Sequence, residues 1–144
     1  MHFLAIAVAA VAGSMVALQA PINSALGKHT SVLGATVVSF AIGLATAILV
    51  ALGRGQLVGL SKAAEAPWWQ LTGGILGACF VALAITLVPK IGAMQFAAAA
   101  VMGQIIMSVI VDHFGWLGVP THAVSWERVL AVPLIGMALW LSRR

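Results

Sequence analysis

Three polar side chains, Gln104, Ser108 and Asp112, recur every four residues in the stretch Gly103 to Pro120, GQIIMSVIVDHFGWLGVP. That spacing stacks them on one face of a helix that is otherwise apolar. Inside a membrane such a stripe is costly unless it faces protein or a water-filled cavity, so it is a candidate substrate path. A second polar group flanks Pro21, where Gln19 and Asn23 lie four residues apart on one face. Proline has no N–H, and its ring pushes away the carbonyl of Ala17. In lipid that carbonyl must find another partner. Two readings stand level here. One is an interrupted helix of the kind transporters use for midplane sites. The other is a packing kink whose two amides bond neighbouring helices.

Ser39 and Phe40 in the next apolar stretch complete the candidate set. Gln19, Asn23, Ser39, Gln104 and Ser108 are neutral groups that both donate and accept hydrogen bonds. Such a lining suits a small polar, neutral or zwitterionic molecule better than a bare cation, and helix-end dipoles near Pro21 add a partial charge. Asp112 has two readings, a proton or cation carrier or an interfacial carboxylate that caps a loop or pairs with Arg128. Its place at the end of its span, beside His113, favours the second. His2, His29, His113 and His122 are scattered without ligand spacing, and Cys79 has no partner cysteine, so no metal site, disulfide or cofactor is expected. Paired carboxylates and an activated nucleophile are missing as well, and the loops are short, which argues against an enzyme.

The elements that must hold these residues follow from composition. The chain has 144 residues, of which 62% are hydrophobic and 7% charged, with a mean hydropathy of +1.13. Soluble domains carry roughly a quarter charged residues, so an all-α integral membrane protein is expected. A helix crosses the roughly 30 Å hydrocarbon core with about 20 apolar residues. Spans are expected over about 3–26, 30–53, 66–89 and 91–112. A fifth, over 125–142, has an apolar part from Val129 to Ser142 that is short for the core, with Arg128 and Arg143 to snorkel outward and Pro133 to kink it. The alternative is four spans and an interfacial tail. All belong to one transmembrane domain, residues 1–144. A cleaved leader at the N-terminus is disfavoured, because Met1-His2 lacks Lys and Arg and the apolar run continues past Ala20.

Local signals refine the spans. Trp68-Trp69 suits a headgroup interface. Gly73 and Gly77 are spaced for close helix approach. Pro89 is expected to end the third span, and Lys90-Ile91-Gly92 to turn tightly into the fourth, making those two spans antiparallel neighbours.

The net charge of +4 comes from basic residues scattered singly over short loops, a pattern that does not suit nucleic acid. With five spans, Arg54, Lys62 and Arg128 lie on the side of the N-terminus and Lys28, Lys90, Arg143 and Arg144 on the other, three against four. Orientation follows the Lys/Arg imbalance between loops, and here there is almost none. Insertion in both orientations is expected, and the simplest closed assembly is then an antiparallel homodimer with its two-fold axis in the membrane plane.

Taken together, several motifs resemble one family. They are Gly13-x5-Gln19-x3-Asn23-x2-Leu26, Ser39-Phe40-x2-Gly43, Pro67-Trp68-Trp69 with Gly73-Gly74, Pro89-x2-Gly92, and Gly103-Gln104-x3-Ser108-x3-Asp112-His113-Phe114-Gly115-Trp116. The chain resembles the YdcZ-like proteins of the drug/metabolite transporter superfamily over nearly its whole length. That resemblance implies a bacterial inner-membrane protein of five helices. It also implies an antiparallel two-subunit unit, formed with a second copy or with a paired homologous chain. The related small multidrug resistance proteins use a carboxylate in the first helix for proton-coupled export. This chain has Gln19 and Asn23 there and no acid, so that mechanism is not expected of it. The expected function is alternating-access transport of a small solute through two inverted subunits. The alternative is a structural or accessory membrane subunit whose polar residues only join helices.

Overall fold

The computed structural model describes residues 2–121 together with Leu130, Pro133, Leu134, Gly136, Met137, Trp140 and Leu141. Its elements are α1 (His2–His29), α2 (Val32–Gly53), the 3-10 segments η1 (Leu57–Glu65) and η2 (Trp68–Thr72), α3 (Gly73–Ile91), α4 (Ala93–Phe114) and η3 (Trp116–Gly118). Among the described residues there is no strand. Four stretches are long and apolar enough to cross a membrane: Phe3–His29, Val32–Gly53, Trp68–Ile91 and Ala93–Phe114. The fifth expected span, 125–142, falls mostly outside the described residues, and the seven described within it are helical. The kink expected at Pro133 would involve Val129, which also lies outside them.

Each boundary has a local cause. The turn between α1 and α2 is Thr30-Ser31. Thr30 Oγ1 donates to the Leu26 carbonyl at 3.1 Å, and Ser31 Oγ accepts from Gly34 N–H at 3.0 Å as the N-cap of α2. Helix α4 begins after Gly92 (φ 84°) and ends at Gly115 (φ 61°), whose N–H bonds the Val111 carbonyl. Both positions need a left-handed backbone that glycine adopts without strain.

Two sequence expectations need correction. Helix α1 is not interrupted at Pro21 but runs through it to His29. Proline deletes a single intrahelical bond, and lipid offers no partners to a chain that would unwind further. Likewise Pro89 does not end α3, which continues to Ile91, and the stop is set by Gly92. Between the second and third expected spans, residues 57–65 form the 3-10 segment η1.

The chain divides into two compact units, Met1–Lys90 and Ile91–Arg144. In the first, Ala35, Val81 and Ile85 form a small core, with Leu26 and Phe80 packed on it. Helix α1 contributes the face Ala20, Asn23, Ser24 and Gly27, spaced as one helical stripe. Gly27 permits the closest approach, because a Cβ there would stand 2.6 Å from Ile85 Cγ2. The foreseen close approach at the glycine pair belongs to Gly77, where a Cβ would meet the Phe40 ring at 3.3 Å, whereas one at Gly73 would meet nothing within 4 Å. Away from this packed end, every residue from Phe3 to Gln19 and from Phe40 to Val50 is exposed. Helices α1 and α2 therefore pack near their shared turn and are bare beyond it.

In the second unit, α4 buries Phe96 and ends in an aromatic cluster. Phe114 stacks on Trp116 with ring centroids 5.3 Å apart, and His113 meets Phe114 edge-on at 4.9 Å. Such rings suit the headgroup level.

Candidate functional site

Most hydroxyls in the described spans are already satisfied by their own helix. Ser14, Thr36, Thr46 and Thr86 donate to the carbonyl four residues earlier, at 2.8 to 3.0 Å. Such a group presents little unmet polarity to lipid or to a solute. Among the described residues, Ser39 and Ser108 make no such bond. Ser24 makes none either, but it is buried, so Ser39 and Ser108, both picked from the sequence, are the more accessible of the three.

In the first unit, Gln19, Ser39 and Phe40 come together. With Gly43, Leu44 and Ala47 they line a cavity of about 370 Å³, placed where α1 and α2 part. The lining is mostly apolar, with the Gln19 amide and the Ser39 hydroxyl as its polar corner. Phe40 forms one wall, and Gly77 on α3 makes room for its ring. Ser39, Gly43 and Ala47 repeat every four residues, so one face of α2 supplies the opposite side.

Asn23 lies one turn beyond Gln19 on the same face of α1, toward the packed end. It is 5% exposed, and its Nδ2 has no hydrogen-bond partner. A buried amide donor left unpaired costs about 1–3 kcal/mol, more than a packing kink requires. The amide is shut in by this chain's own packing and does not itself line the cavity. Ser24 and Thr36 are buried beside this region and were not singled out from the sequence. The signal available for Ser24 was its place in the stripe between Ala20 and Gly27.

The remaining candidates belong to the second unit. Gln104 and Ser108 are exposed on α4, one turn apart, and Asp112 is half-buried in its last turn. Asp112 is not a free carboxylate. Arg128, its expected partner, lies outside the described residues. Among the described residues no three His, Cys, Asp or Glu side chains converge as a metal site would need.

Comparison with known proteins agrees with this architecture. Residues 4–141 match the family described as "Putative inner membrane exporter, YdcZ". The inner membrane protein YdcZ of Escherichia coli (strain K12) is 33% identical over 92 residues, which is 64% of this chain and 58% of that relative. The chain thus spans under two thirds of the length of that curated relative in the match. No solved structure matches.

Proposed function

The chain belongs to the YdcZ inner membrane exporter family, and from that membership we propose that it moves a small polar or zwitterionic solute by alternating access between two inverted copies. Its place as a multi-pass inner membrane protein and its transporter-type role follow from the family and the four apolar helices. The finer reading is supported by one observation above the rest: the unpartnered Asn23 Nδ2 one turn from the cavity of Gln19, Ser39 and Phe40. In this reading Gln19 and Ser39 hold the polar end of the solute, Phe40 packs its apolar part, and Asn23 completes the binding set. Gln104, Ser108 and Asp112 are candidate solute contacts of the second unit, on α4. Gln19, Asn23 and Ser39 carry no ionisable group, so recognition by them rests on hydrogen bonds and not on a charge that must be neutralised.

Alternating access needs two arrangements of similar energy about one site. A chain whose α1 and α2 pack at one end and diverge beyond it offers such a site at the opening. A second copy inverted in the membrane supplies the same opening from the other side, as inverted repeats do within one chain.

The test uses the purified chain in liposomes and a panel of labelled neutral and zwitterionic solutes. A solute carried by the natural chain should be carried at least tenfold more slowly by Gln19→Ala, with insertion and assembly unchanged. An accessory subunit would instead show no flux for any solute, and Gln19→Ala would weaken its assembly.

A further inference from the structure

The segment between α2 and α3 helps line a second cavity, which adjoins the first along α2 and shares Leu44 and Ala47 with it. Here η1 lies beside the final turns of α2, and the two border an open groove of about 630 Å³. Leu44, Ile48 and Ala51 face it from α2, and Gly59, Leu60 and Lys62 from η1. The α2 residues fall on one helix face, so the slot runs along the helix and not across it. Its volume lies within the range of sites that take small ligands.

Position fixes the surroundings. Helix α2 has 22 residues. At ~1.5 Å per residue it spans about 33 Å, close to the hydrocarbon thickness. Its C-terminal turn and η1 therefore lie at the boundary between acyl chains and headgroups. The surface of η1 agrees, since Val58 and Leu60 are 82% and 64% exposed. Apolar side chains so bare in a short segment belong against lipid. Lys62 then supplies the charge. It forms no ion pair among the described residues, although Glu65 follows three positions later. Arg54, exposed at the C-cap of α2, adds a second cation at the same edge.

An apolar slot along a span, closed by a cation at the headgroup level, has the chemistry of one kind of molecule. We propose that this groove holds an anionic phospholipid of the bilayer, one acyl chain lying along α2 and the phosphate meeting Lys62. Gly59 makes room for the chain, because a Cβ there would meet nothing within 4 Å. Its φ is also ordinary for an L residue, since it is not among the positive-φ glycines. A large side chain at that position can consequently fill the slot without straining the backbone.

The full chain in mild detergent is titrated with dioleoylphosphatidylglycerol or dioleoylphosphatidylcholine, and bound lipid is read by native mass spectrometry. Phosphatidylglycerol should bind about fivefold tighter, the contribution of one surface Lys. Lys62→Gln should remove that preference, lowering phosphatidylglycerol binding more than phosphatidylcholine binding. Gly59→Phe should lower binding of both lipids, whereas Gly59→Ala should retain it, which separates filling of the slot from misfolding. Equal binding of the two lipids, or no change on Lys62→Gln, overturns the proposal. So does full competition by glycerol phosphate alone, which would mean a free-anion site. Loss of self-association with lipid binding intact in Gly59→Phe would assign the groove to a second copy instead.

Discussion

Asn23 is where a single side chain separates the transport reading from the accessory one. If its amide serves only to join helices of this chain, removing it breaks a bond. If it waits for a solute, removing it relieves a buried donor that has no partner. Asn23→Leu keeps a similar volume and should leave thermal stability in detergent unchanged or raise it by up to about 1–2 kcal/mol, while flux is lost. A clear drop in melting temperature would show that the amide is already bonded in the assembled protein. At this scale the sequence was informative about type and silent about partners. Gln19 and Asn23 could be picked out because amides are rare in apolar runs. That Ser39 and Ser108 keep their hydroxyls free while Thr36, Thr46 and Thr86 bond their own helix is decided by rotamers and neighbours. No spacing rule distinguishes them.

Among the elements, hydropathy picks out four helices long and apolar enough to cross a membrane, because such a helix must be long, apolar and internally bonded. Its errors were at the prolines. Residue-level rules treat Pro21 and Pro89 as breaks, yet both helices continue, because lipid penalises an unwound backbone more than one missing bond. The amphipathic η1 went unseen because nine residues of mixed polarity give no clear period. Packing between elements turns on Gly27, whose added Cβ would collide with the buried Ile85. Gly27→Val should destabilise the first unit by about 1–3 kcal/mol in a denaturation series. Gly73→Ala, with open space around it, should change stability by less than about 0.5 kcal/mol. Combining Gly27→Val with Ile85→Ala should give a coupling above about 0.5 kcal/mol, since the two positions share one contact. Additive effects would mean that the close approach is absent in the membrane.

For the whole molecule the decisive property is how bare the spans are. In no candidate span is more than 17% of the apolar window buried. Lipid tolerates such surfaces, but a solute path needs protein on both sides, and the near balance of charge supplies the reason a second, inverted copy would be present. Neutralising Arg54 and Lys62 leaves one basic residue, Arg128, on the side of the N-terminus against Lys28, Lys90, Arg143 and Arg144 on the other. The double variant Arg54→Gln/Lys62→Gln should therefore insert with the α2–α3 connection outside in nearly every molecule. Flux should then collapse, and return when a variant biased in the opposite sense is co-expressed. Full flux from the singly oriented variant would show that inversion is unnecessary.

The sidedness of that same connection in the natural charge background tests the inverted pair most directly. Ser61 is exposed, neutral and central in η1, so Ser61→Cys leaves the Lys/Arg balance untouched. In a Cys79→Ser background it offers a single thiol to a membrane-impermeant maleimide, in intact cells and after lysis. About half the sites reacting from outside, with the rest becoming reactive only on lysis, is the expected result. Labelling of all the sites from one side would contradict a transporter assembled from two inverted copies of this chain.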